Sequence, residues 1–201
     1  MIFESFPWKR ELARNVTVLK TWATKPHTER GGFYVQRSVF LSAFIVRKLM
    51  ENRKISDAVS NRNIVCNSYH VLRPVSDRLS RFLSGSAEDY DLANPRNMSI
   101  NVYDLVSEIM HSYTFAMVIN RRNRCTSFLV NSYRRKDKRL LEITTAAFEK
   151  ILTDVIRDDV RAISITVDDT SGKISATVTA FTRPRSVRRG PRRRSRPRRA
   201  R

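Results

Sequence analysis

The stretch INVYDLVSEIMHSYTFAMVI, residues 100–119, decides how the chain reads, because it passes from helical spacing into a short extended run. Val102, Leu105, Val106, Ile109, Met110 and Tyr113 recur on one stripe over three helical turns. Asn101 suits the N-cap, since its side-chain oxygen can accept from a first-turn amide that lacks an intrahelical partner. Ile100 before the cap and Leu105 after it stand at the spacing of a hydrophobic staple. The sequence therefore predicts a helix from Asn101 to Tyr113.

Three apolar runs follow, at 115–119, 125–133 and 140–144, split by Asn120-Arg121-Arg122-Asn123-Arg124 and by the basic segment from Arg134 to Arg139. Their β-branched and aromatic content and the short polar turns predict an antiparallel meander. A helix comes next, with Phe148, Ile151, Leu152, Val155 and Ile156 on its buried side. Ile163, Ile165 and Val167 then alternate with Ser164 and Thr166. After a turn at Ser171-Gly172, Ile174, Ala176, Val178 and Ala180 alternate with Ser175, Thr177 and Thr179. A two-residue period on both arms predicts a hairpin with one apolar and one hydroxyl-rich face.

Toward the N-terminus, 84–99 is rich in Ser, Asp, Asn and Pro and reads as a loop. A strand is expected at 64–72 and a short helix at 76–83, after Pro74. A second helix, from about Phe33 to Glu51, places Val39, Phe40, Ala43, Val46 and Met50 on one face. Leu41, Phe44 and Ile45 widen that face until most of the helix must be covered, by the core or by an oligomer partner. Gly31-Gly32 reads as the break before it. Ser5 and Pro7 suit the start of a first helix carrying Trp8, Leu12, Val16, Leu19 and Ala23. The fold class is thus α+β: N-terminal helices packed beside a small antiparallel sheet, with a C-terminal β-hairpin and a disordered arginine-rich tail. One domain is expected over 1–182 (helical to 52, irregular over 53–99, helix-and-sheet from 100) and a basic tail over 183–201.

Charge is unevenly spread along the 201 residues, whose formal net charge is +20. Residues 183–201 hold eleven arginines and no acid; removing eleven from 39 bases leaves 28 against 19 acids, so residues 1–182 carry about +9. Such a tail has no apolar surface to bury and should be disordered alone. Guanidinium groups offer paired donors in a fixed plane, which suits phosphates. Acidic protein surfaces and anionic membranes compete as partners, and a GC-rich reading frame translated out of register gives the same composition. The two cysteines, Cys66 and Cys125, have no metal-ligand spacing and read as reduced thiols in a cytoplasm. The most apolar stretch, 39–46, is too short to span a bilayer. The N-terminus lacks the basic and apolar regions of a secretory signal.

The sequence carries no Gly-rich phosphate loop, no Gly-x-Ser-x-Gly elbow and no Cys-x-x-Cys, so no catalytic, metal or cofactor site is assigned. Asp104, Glu108 and His111 stand at i, i+4 and i+7 on the polar side of the Asn101 helix. Two carboxylates and an imidazole suit a divalent metal or an acid–base pair. An acid in the first turn and a histidine in the last equally complement the helix dipole. The expected nucleic-acid contacts are Arg121, Arg122 and Arg124 in one turn, Arg134, Arg135 and Lys136 in the next, and Arg188, Arg189, Arg192, Arg193 and Arg194 in the tail, with Tyr133 available for stacking. Successive turns of a meander lie at opposite ends of its sheet, so the two turns need not form one patch. The leading expectation is a protein that binds nucleic acid or another polyanion through charge. A homo-oligomeric scaffold and a nucleic-acid-processing enzyme are the alternatives.

Overall fold

A computed structural model of the protein describes residues 4–73, 86–167 and 174–180. The expected helix at 76–83, the turn at Ser171-Gly172 and the tail with its five named arginines lie outside the described residues.

Helix α1 (Phe6–Thr24) follows Ser5 and carries Pro7 in its first turn, where a missing N–H costs nothing. It buries Leu12, Val16 and Leu19. Helix α2 (Glu29–Glu51) begins four residues ahead of the expected start, with Thr28 as N-cap accepting from the Gly31 amide at 3.0 Å. Gly31 and Gly32 are not a break but the buried first turn of this helix. A Cβ on Gly31 would come within 2.5 Å of the Trp22 ring, and one on Gly32 within 2.8 Å of Met117 Cε. Close packing selects glycine at both positions and outweighs its poor helix propensity. Val35, Val39, Ala43, Ile45, Val46 and Leu49 of α2 enter the main core, whereas Phe44 stays 41% exposed.

Strand β1 (Asn63–His70) meets the strand expected at 64–72, and the single-turn helix α3 (Asp57–Ser60) adds order to a region otherwise expected to be irregular. A 3-10 turn at Ser86–Asp89 and strand β2 (Arg96–Asn101) replace part of the expected loop. Strand β2 is legible only through its partner: every paired residue from Arg96 to Asn101 faces β1, and half of its side chains are exposed. Helix α4 (Val102–Met110) then starts directly on Asn101, whose side chain accepts from Asp104 N at 2.7 Å. It ends earlier than its apolar stripe suggested. Tyr113 belongs to β3 (Ser112–Ile119), because pairing of Ser112 with Ser132 captures the chain after His111. A register shift between Ser112 and Thr114 seats Tyr113 in a cluster separate from the main core.

Strands β4 (Cys125–Ser132) and β5 (Arg139–Thr144) complete the meander, with Tyr133 already in a 3-10 turn between them. The five strands run β2-β1-β5-β4-β3, antiparallel throughout. Helix α4 carries the chain from one edge strand to the other, touching β2, β3 and β4 on the way. Helix α5 (Thr145–Arg157) packs on α1, α1 on α2, and α2 on α4, so the helices form a layer over one face of the sheet. Between the layers lie Phe128, Val130, Leu141, Ile143, Phe148 and Leu152 among the fully covered side chains. On the opposite face of the sheet, away from the helices, Tyr69, Tyr90, Leu129 and Leu140 make a smaller second cluster.

Strands β6 (Val160–Val167) and β7 (Ile174–Ala180) form a separate ribbon with the expected two-residue alternation. Val178 is buried, and its amide donates to Asp57 of α3 at 2.8 Å. Ile163, Ile165, Val167 and Ile174 remain about half exposed or more, so the ribbon's apolar face is not part of the described core. Asp158, just before the ribbon, accepts from Ser56 N and Oγ, and its carbonyl accepts from Lys9 Nζ. These bonds tie α1, α3 and the end of α5 together. Among the described residues no helix is long and apolar enough to cross a membrane.

Candidate functional site

The β3–β4 turn is held by its own asparagines. Asn120 Oδ1 accepts from Arg122 N at 2.9 Å and Arg124 N at 3.0 Å, and Asn123 takes a positive φ of 55°. Asn tolerates that left-handed conformation better than most residues. The turn is also docked. His27 N donates to Asn123 O at 2.5 Å, and Asn123 Nδ2 donates to His27 O at 3.3 Å. His27 lies in the α1–α2 connection, so the arginine turn is fastened to the corner where those helices meet. Arg121, Arg122 and Arg124 are exposed there, and exposed Lys25 and Arg30 flank His27 in sequence, with Glu29 the one acid in the α1–α2 connection and first turn of α2. None of these five cations makes an ion pair among the described residues.

The β4–β5 turn sits at the other end of the strands and is engaged differently. Lys136 is only 6% exposed, and its ammonium lies 4.3 Å from the Tyr133 ring centroid and 4.9 Å from that of Tyr113. Its carbonyl accepts from the Tyr90 hydroxyl at 2.7 Å. Arg135 pairs with Glu108 at 3.1 Å, and Arg139 approaches the same oxygen at 3.7 Å. Arg134 is exposed and has no ion pair among the described residues. Of the three cations named in this turn, Arg134 alone presents its charge to solvent without an internal partner.

Glu108 was expected on the polar face of its helix, beside Asp104 and His111, and it is buried. Its Oε2 accepts from Ser132 N at 2.7 Å, so the carboxylate satisfies the end of β4 as well as Arg135. Asp104 accepts from Asn101 Nδ2 at 3.0 Å, and His111 caps the helix with its amide on Ser107 O. The three do not converge: no cluster of three or more potential metal ligands occurs among the described residues. They border a cleft of about 580 Å³ together with Arg47, Tyr103, Tyr133 and Arg134. Arg47 stacks over Tyr103 at 4.0 Å and bonds Ser107 Oγ and Glu51, so most charge around this cleft is internally balanced.

Sequence reasoning did not foresee a carboxylate on the sheet face away from the helices. Glu142 accepts from Asn67 Nδ2 at 3.1 Å and from the hydroxyls of Tyr69 and Ser127. Burial alone would raise this carboxyl, but the three donors outweigh it and hold it below the ordinary carboxylate range. Burial, and then the bond to Glu142, push the Tyr69 phenol up to about 12. Burial also raises both thiols, Cys66 and Cys125, as expected of inert reduced cysteines. Period-two patterning flagged none of this network, because its members come from three strands whose order the sequence does not state.

Compared with protein-family models, with curated proteins and with solved structures, the chain matches none.

Proposed function

We propose that the folded body binds nucleic acid through charge, with the corner formed by the α1–α2 connection and the β3–β4 turn as its contact surface. The observation that carries this reading is the set of unpaired cations there: Lys25, Arg30, Arg121, Arg122 and Arg124 against Glu29. Surface guanidinium groups without carboxylate partners attract a polyanion most strongly, since no internal pair must be broken first. The asparagine bonds within the turn fix the arginine backbone, so less freedom is lost on binding. The arginines of residues 183–201 add a second, sequence-independent attraction.

The test is a salt titration of binding to a generic duplex by the full chain and by a variant with Arg121, Arg122 and Arg124 all changed to Gln. Each phosphate contact contributes about 0.9 to the slope of log affinity against log salt. The variant should therefore lose about 2.7 from that slope while keeping its melting temperature. An unchanged slope would remove the corner from the interface.

A further inference from the structure

Three aromatic rings meet at the same corner. Trp22 and Tyr34 stack with centroids 6.1 Å apart and planes 17° apart, and Phe33 meets Tyr34 edge-on at 5.8 Å. The Lys25 ammonium lies 5.5 Å from the Trp22 centroid, and the Arg30 guanidinium carbon 5.7 Å from that of Tyr34. Trp22 rests on Gly31, where a Cβ would approach the ring to 2.5 Å, so the ring array is wedged against the first turn of α2. Phe33 is different: it is 60% exposed and contributes to neither core cluster.

Resting on the charge reading above, we infer that this corner selects single-stranded over duplex nucleic acid, with an unpaired base stacking on Phe33. Charge alone does not make that choice, because both forms carry phosphates. A ring does, because bases within a duplex are already stacked on their neighbours and an unpaired base has a free face. Stacking accepts every base, so the preference is for strand state and not for sequence. The neighbouring cations take the flanking phosphates, and DNA and RNA single strands share the chemistry used.

The experiment measures binding of the full chain, over a series of salt concentrations, to oligothymidylate and oligouridylate of about 12 nucleotides and to a duplex of like length. Phe33→Leu should weaken binding to both single strands about tenfold and change duplex binding by less than about twofold. Phe33→Trp should restore the single-strand affinity. In a Trp8→Phe background, Trp22 fluorescence should be quenched by the single strands and not by the duplex. Melting curves confirm that the variants fold, which the exposure of Phe33 leads one to expect. Equal loss on both forms, or no loss on either, overturns the single-strand assignment while steep salt dependence keeps the charge reading standing. Salt-insensitive or absent binding to every probe overturns both.

Discussion

Glu108 and Asp104 stand four residues apart on one helix, yet only one of them belongs to the surface. The carboxylate of Glu108 has the Ser132 amide and the Arg135 guanidinium waiting for it, while Asp104 closes back on its own N-cap. Removing a buried charge partner strands the groups that faced it. Glu108→Ala should thus cost about 2–3 kcal/mol in urea unfolding, somewhat under the usual range because Arg135 is 46% exposed and solvent relieves part of the loss. Glu108→Gln, which keeps an acceptor for Ser132, should cost less. A change below about 0.5 kcal/mol for the alanine variant would show that the carboxylate is not engaged there. Tyr69 gives a pH signature. Its folded value of about 12 lies above that of an unfolded tyrosine, so the stability it supplies is complete below pH 10 and fades as pH rises toward 12. Among the six tyrosines, Tyr69→Phe should delete a component at the alkaline end of the phenolate absorbance titration. Loss of a component near pH 10 instead would mean that Tyr69 is not buried beside Glu142. The depressed Glu142 carboxyl acts in the opposite sense: its contribution is present above the unfolded carboxylate value and is lost as pH falls through its own lowered value.

At the level of elements, α2 and β2 mark the two kinds of departure from the sequence reading. The first turn of α2 contains two adjacent glycines, which composition alone marks as a break. Only the approach of Trp22 and Met117 explains why they stand inside a helix. Gly31→Ala should destabilise the chain by about 1–2 kcal/mol despite better helix propensity, because the Trp22 ring is wedged against Tyr34. Gly32→Ala meets the tip of the flexible Met117 side chain and the His27 ring edge, and should stay within about 1 kcal/mol of the parent. Thermal melts of the pair check this ordering, and the reverse order would refute it. Strand β2, rich in Asn and Ser, becomes a strand because β1 offers it a free edge, and no local propensity announces that. The Asn101 helix was legible because its cap, staple and stripe agree. Its C-terminus was not, since Tyr113 sits at helical spacing and yet joins β3 through strand pairing.

For the whole molecule, the charge divides between a body of about +9 and the eleven arginines of residues 183–201, from the overall +20. The described secondary structure ends at Ala180, so a chain truncated after Thr182 should keep its circular dichroism and melting temperature. Its binding should keep only a shallow salt dependence. Five or six contacts from the arginine segment would contribute about −5 to the full chain's slope, and the truncation removes that share. Undiminished binding after truncation would assign the interaction to the body alone.

Periodicity and turn chemistry in the sequence determined that this is an α+β chain, where α1, α4, α5 and the ribbon strands lie, and that the basic turns fall between strands of a meander. Those are local properties, set by residues within a few positions of one another. The tertiary structure decided which basic residues stay available: Glu108 takes Arg135, two tyrosine rings cover Lys136, and the Asn123–His27 contact brings Arg121, Arg122 and Arg124 to a helical corner nearly a hundred residues away. A side chain's charge is written in the sequence. Whether that charge meets solvent or a buried partner depends on strand order and helix packing, because both bring together residues that no local pattern relates.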